Sequence, residues 1–276
     1  QWLSKNEAPA VLGQLISVAA LTSLVSYGVV WVLLEVFDAG YTVVYATSGL
    51  ACLALMIFMA VAFPTFEAPN PQRKQLILRR RYGLYYALTF LAGARRQIFM
   101  VFASFLLVQR FEYSASAIAA LYLINHGVSW LAAPTIGRWV GRFGERRILV
   151  IEYIGLIAVF LGYAIVNNGA LAATLFVVDH IFFAMAIAQK TYFQKIADPG
   201  DIAGTAGVNF TINHIAAVVI PASFGLIWLA APEWVFILGA MMATVSLLLA
   251  LCVPDEPTQD TPIRLWWRRV VPARAA

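Results

Sequence analysis

Apolar residues fill most of the chain and are interrupted at near-regular intervals by short polar groups. Between interruptions the apolar runs are about as long as a bilayer-crossing helix requires, roughly 20 residues. The runs are Pro9–Phe37, Tyr41–Phe63, Tyr82–Val108, Ser114–Val140, Ile148–Val166, Leu171–Lys190, Gly204–Ala230 and Trp234–Val253. Most connections between them are too short to hold a domain outside the membrane; the longer ones are Pro64–Arg81 and the region around Gly141–Arg147. The pattern predicts an all-α, polytopic transmembrane helical bundle of about eight spans.

Composition fits this pattern. The chain is 62% hydrophobic and 12% charged, where a soluble domain carries about 25% charged residues. The net charge of +5 is distributed by side rather than by patch. With eight spans, one side collects Lys5, Arg73, Lys74, Arg79–Arg81, Arg138, Arg142, Arg146, Arg147, Lys195 and the Arg264–Arg274 tail, and the other side has Arg110 alone. The positive-inside rule then places both termini in the cytoplasm, with a bacterial plasma membrane as the expected location. Topology accounts for the basic residues, so a nucleic-acid partner is not expected. The chain begins at Gln1 with no signal-peptide pattern, and a preceding portion is expected.

Chemistry that needs a cofactor leaves no trace. Cys52 and Cys252 lie singly inside apolar runs, His126, His180 and His214 fall on three different runs, and neither G-x-x-x-x-G-K-[ST] nor H-E-x-x-H occurs. No cofactor, metal site or catalytic residue is expected, and the chain is not read as an enzyme.

The spacing divides the chain. Residues 1–63 hold two spans, 64–81 a basic cytoplasmic linker with three prolines, 82–253 six spans, and 254–276 a basic cytoplasmic tail. A protein of two six-span halves carries its long linker after span six. On that count the first two helices are spans five and six, and the last six form a second half.

The segment after the fourth run reads Gly137-Arg138-Trp139-Val140-Gly141-Arg142-Phe143-Gly144-Glu145-Arg146-Arg147. It resembles the signature loop of the major facilitator superfamily, G-x-x-x-D-R-x-G-R-R, whose weaker copy joins spans eight and nine. Gly137, Arg142, Gly144, Arg146 and Arg147 match, and Gly141 departs, because the family has an acidic residue there. Glu145, Asp198 and Asp201 are candidates for the missing acid. The resemblance implies a secondary active transporter that moves a small solute by alternating access, coupled to an ion gradient, most simply protons.

Polar groups inside the apolar runs are the candidate site, because charge at a bilayer centre is costly and usually faces a cavity or another charge. Arg95 and Arg96 lie about 13 residues into their run, roughly 20 Å along a helix, and offer bidentate bonds to an anionic group. They stand about 100° apart on a helix, so both need not face the same way. Asp179 and His180 lie at similar depth and are candidate proton-coupling residues or counter-ions. Asn125, His126, Asn209 and Asn213 are candidate substrate-binding residues or interhelical hydrogen-bonding groups, both readings being open. Glu152 is read as a partner of the loop arginines. A non-transporting assembly factor or receptor on the same fold remains the alternative function, and a membrane-embedded enzyme a third. The factor predicts a dry Arg95–Asp179 pair with no central cavity.

Overall fold

The fold was obtained as a computed structural model, which describes residues 7–63 and 75–264. The first part of the linker (64–74) and the tail beyond residue 264 lie outside the described residues. Among those described, the chain is helical with no strand, and eight helical stretches are long and apolar enough to cross a membrane. In hydrocarbon the backbone must bond to itself, which an α-helix does within one segment.

Helix α1 (Ala8–Glu35) and α2 (Tyr41–Ala62) lie to one side. α2 buries none of its residues and leans on α1. α1 packs along α5 (Ala115–Phe143). Two glycines permit this approach. A β-carbon on Gly13 would lie 2.6 Å from the Ala133 carbonyl oxygen, and one on Gly137 would lie 2.5 Å from that of Pro9. Farther along the seam the Ser17 hydroxyl donates to the Trp130 carbonyl at 2.6 Å. Close backbone contact is the usual device where lipid supplies no hydrophobic drive between helices.

The remaining helices are α3 (Gly83–Gln97), α4 (Ser104–Phe111), α6 (Glu145–Ile165), α7 (Gly169–Ala184), α8 (Ile187–Ile196), α9 (Ile202–Ala230) and α10 (Pro232–Ala250). α10 packs on α6, where Tyr163 stacks on Phe236 at 5.1 Å between ring centres. α9 packs on α3, and α7 lies against α5 and α6.

Two spans that the sequence reads as continuous are broken. The third runs through α3, a π-helical turn at Ile98–Ala103 and α4. The sixth runs through α7 and α8, with Met185 and Ala186 between them bonding three residues back, to Phe182 and Phe183. One span is therefore locally loosened and the other locally tightened. Neither break carries a proline or glycine, so no local sequence signal marks them.

The signature segment is also tighter than expected. α5 continues through Phe143 and α6 starts at Glu145, so Gly144 alone makes the turn. Its φ of 84° is a conformation that a side chain disfavours. Gly137 and Arg142 are on α5, and Arg146 and Arg147 are in the first turn of α6.

Replacing Gly137 by leucine forces α1 and α5 apart. Overpacking of this kind costs about 1–3 kcal/mol. The expected result is a clear fall in melting temperature in detergent, with Gly141→Leu, which meets open space, as the near-silent control.

Candidate functional site

The two broken spans face one cavity. It has a volume of about 660 Å³ and lies between α1, α3, α5, α7–α8 and α9. Cavities of roughly 300–1,000 Å³ are typical of small-molecule sites. None of its lining residues comes from α4, α6 or α10.

The Arg95-Arg96 step divides a dry side from an open one. Arg96 is exposed and lines the cavity, whereas Arg95 is 1% exposed and points into the six-helix bundle. There it donates to the Ser246 hydroxyl on α10, lies 3.9 Å from a Glu152 carboxylate oxygen on α6, and sits 4.7 Å from the centre of the Tyr153 ring. Asp179 on α7 belongs to the same dry cluster. It is fully buried, interacts electrostatically with Arg95 and Glu152, and neither of its oxygens has a hydrogen-bond partner among the described residues. The cluster thus holds one guanidinium and two carboxylates.

The Asp179-His180 step divides in the same way. His180 lines the cavity. Its ring centre lies 6.1 Å from that of His126 on α5, and His126 in turn stacks on Tyr27 of α1 at 5.2 Å. Helical geometry explains both divisions, since adjacent residues are about 100° apart around the axis. Asn125, beside His126, is fully buried behind the wall, its side chain without a partner among the described residues.

α9 supplies Asn209 and Asn213, four residues apart and both in the lining. Asn209 donates to the Tyr85 hydroxyl, and the Asn213 side chain donates to the Asn209 carbonyl at 2.9 Å. Gly93 lets α9 approach here, because a β-carbon on it would fall 2.6 Å from the Asn213 side-chain oxygen. The Gln189 amide donates to the Thr89 hydroxyl at 2.8 Å, tying α8 to α3 at the wall.

The cavity's charge is one-sided. Arg96 and Lys190 line it, His126 and His180 add two imidazoles, and no aspartate or glutamate lies among its lining residues. Arg96 is close enough to His180 and Lys190 to act on both electrostatically. Such a cavity favours an anionic group and disfavours a cationic one.

Comparison with known proteins bears on what such a bundle is. The family model described as Major Facilitator Superfamily matches residues 1–221, and matches again over 87–275. The chain belongs to the major facilitator superfamily. It is also similar to an uncharacterised MFS-type transporter of Methanocaldococcus jannaschii, at 24% identity over 225 residues, covering 76% of this chain and 56% of that protein. The chain therefore spans just over half the length of this relative. No solved structure matches.

Within this superfamily member the signature residues occupy separate places. Arg146 pairs with Asp255 at 3.0 Å, and Arg264 pairs with the same carboxylate at 2.7 Å. Asp198 and Asp201 instead engage Arg79, at 3.1 and 2.9 Å, and Asp198 also engages Arg81 at 3.4 Å. The buried Glu145 takes Lys195 at 2.7 Å. Arg142 and Arg147 are exposed, the former 5.4 Å from the Phe143 ring centre. Among the described residues, the acid that meets Arg146 of the segment is thus Asp255, after α10.

Sequence reasoning missed three features. Glu152 pairs with Arg95 rather than with loop arginines, since α6 turns it inward toward α10 and α3. Lys190 reads as a membrane-edge residue, and the break before α8 brings it to the cavity. The aromatic wall carries no motif at all. Glu152 stands out in the sequence as a carboxylate inside an apolar run; its partner does not, because Arg95 lies on a different span.

Removing one member of a buried charge cluster costs about 3–5 kcal/mol, because the others stay uncompensated. Arg95→Met is expected to lower the melting temperature strongly, and Glu152→Gln added to it to regain part of the loss. Arg96→Met, in the open cavity, is expected to change it little, within about 0.5 kcal/mol. Thermal unfolding in detergent at constant pH reads all three.

Proposed function

We propose that the chain is the substrate-handling portion of a secondary active transporter that moves a small anionic solute by alternating access, coupled to protons. The observation that carries this reading is the cavity's charge, two cations and two imidazoles with no carboxylate in the lining. Family membership and the similarity to an MFS-type transporter support transport over catalysis. The non-transporting alternative predicts a dry Arg95–Asp179 pair with no central cavity; the buried cluster of Arg95 and Asp179 agrees with its first half, and the cavity beside that cluster favours transport over it.

In this reading residues 1–63 are spans five and six, 64–81 is the cytoplasmic linker, 82–253 is the second half and 254–276 is the tail. The second match of the family model, over 87–275, supports reading that part as a unit. Both termini face the cytoplasm, in keeping with the basic residues on one side. The breaks in the third and sixth spans put irregular backbone beside the cavity, where discontinuous helices of transporters commonly place their sites.

Arg96 is the anion's principal partner, with Lys190 and His126 beside it and Asn209 and Asn213 binding further polar groups. Arg95 holds the dry cluster behind the wall. Arg95 balances one of the two carboxylates there, and a proton on Asp179 or Glu152 balances the other. Movement of that proton, with His180 as the neighbour facing the cavity, is the coupling step. Arg95, Glu152 and Tyr163 interact electrostatically with Asp179, and Tyr153 lies against Arg95.

A ligand present at 100 times its dissociation constant stabilises a protein by about 2.7 kcal/mol, roughly 5–10 °C for a chain of this size. A panel of organic anions, cations and neutral solutes is expected to raise the melting temperature only through anions, with the rise lost in Arg96→Ala. Stabilisation by cations alone would sink the anion reading. For coupling, substrate uptake into liposomes is expected to lose its dependence on a pH gradient in Asp179→Asn, and unchanged pH dependence would remove Asp179 from that role.

A further inference from the structure

The walls of the cavity carry more information than its charge. Beside Arg96 and Lys190 runs a continuous series of rings from three helices. Tyr27 of α1 stacks on His126 of α5, His126 meets His180 of α7 edge-on, and His180 lies 6.2 Å from Phe183, also edge-on. Phe99, in the π-helical turn, backs the series at 6.1 Å from His180 and 5.4 Å from Phe183. All five residues line the cavity. Tyr27, His126, His180 and Phe183 keep exposed or partly exposed surface, while Phe99 is 1% exposed and serves as their support.

Ring contacts also fill the core, as between Tyr163 and Phe236, but the rings of this series keep surface open to the cavity. A ring series with free faces next to two cations has a specific complement. Rings prefer other rings in offset or edge-on contact, with a gain of roughly 0.5–1.5 kcal/mol per pair beyond area burial. The aromatic wall by itself would also suit an organic cation, through the negative faces of the rings. Arg96 and Lys190, with no carboxylate in the lining to offset them, decide against that occupant.

We infer that the solute is an aromatic carboxylate, its acid group at Arg96 and Lys190 and its ring against Tyr27, His126, His180 and Phe183. This rests on the anion reading of the same cavity and narrows it. Arg96 bonds both carboxylate oxygens from its planar fork, and Lys190 adds a point charge. The breaks in the two spans belong to the same design. The π-helical turn places Phe99 behind the rings, and the tightened turn at Met185–Ala186 lets Phe183 and Lys190 reach one cavity from either side of the break.

The test titrates the purified chain in detergent with three probes of one skeleton: 2-naphthoate, its saturated counterpart decahydronaphthalene-2-carboxylate, and the neutral 2-naphthylmethanol. Calorimetry is expected to show 2-naphthoate binding about ten-fold more tightly than either of the others. The double variant Tyr27→Leu/Phe183→Leu is expected to erase the preference over the saturated acid while keeping that acid's own affinity. Arg96→Ala is expected to erase the preference over the alcohol. Equal binding of the two acids, both above the alcohol, overturns the aromatic inference and leaves the anion reading standing. An alcohol that binds as well as 2-naphthoate overturns the anion reading, and this inference with it. Absence of binding by all three, in a chain whose melting curve is cooperative, overturns both.

Discussion

A guanidinium placed deep in a bilayer must find an opposite charge, water or a ligand, because hydrocarbon offers none of them. Two adjacent arginines on one helix cannot share a single solution, since they point about 100° apart. Here Arg95 takes the dry solution, with Glu152, Ser246 and Tyr153 around it, and Arg96 takes the wet one. Most of the architecture serves this division. α6 and α10 close over Arg95, and α1 and α5 stand back from Arg96 to leave the cavity. Asp179 and His180 repeat the arrangement from α7, so the wall between the dry cluster and the cavity is built from two dipeptides, each with one foot on either side.

Such a wall has mechanical consequences. A charge cluster with one cation and two carboxylates is sensitive to a single proton, and the residues next to it in sequence face the cavity. Any rotation of α3 or α7 that improves one side worsens the other. The helix breaks lie three and six residues beyond Arg95 and Asp179, at Ile98 and Met185. Loosened and tightened turns allow a helix to re-phase its far segment without losing its backbone bonds, which matters where no water is available to replace them. Both breaks thus lie on the cavity side of the residues that form the dry cluster, at Ile98 and Met185.

The sequence disclosed the spans and the unusual charges because both depend on local composition. Twenty apolar residues read as a crossing helix whatever surrounds them, and an arginine in such a run is conspicuous. What it could not disclose depends on partners distant along the chain. Glu152 looks like one more polar residue near a basic segment until α6 is seen to face α3. Asp255 lies 109 residues from Arg146, and nothing local marks it as that arginine's acid. The breaks at Ile98 and Met185 have no proline or glycine, so propensity gives no warning. The rings of Tyr27, His126, His180 and Phe183 come from three runs that the sequence treats as equivalent lipid-soluble helices.

The face that carries most of the basic residues shows how the same economy extends to the ends of the helices. Basic residues kept on one side by the rules of insertion are also the available partners for helix ends and turns there. Arg79 and Arg81 clasp Asp198 and Asp201 at the start of α9, and Arg81 also donates to the carbonyls of Ile196 and Gln259. Arg146 and Arg264 meet on Asp255. The Arg146 and Arg264 pairs on Asp255 are exposed and contribute little stability singly, whereas the Asp201 carboxylate is buried. The value of these contacts lies in geometry, because they join the beginning of α3, the end of α8, the start of α6 and the segment after α10. Residues 251–264 are thereby strapped across the ends of the helices that surround the cavity, with the Tyr192 hydroxyl donating to the Pro262 carbonyl at 2.6 Å. The bundle is thus tied at its rim by contacts between segments far apart in the chain, while its centre leaves room for the cavity.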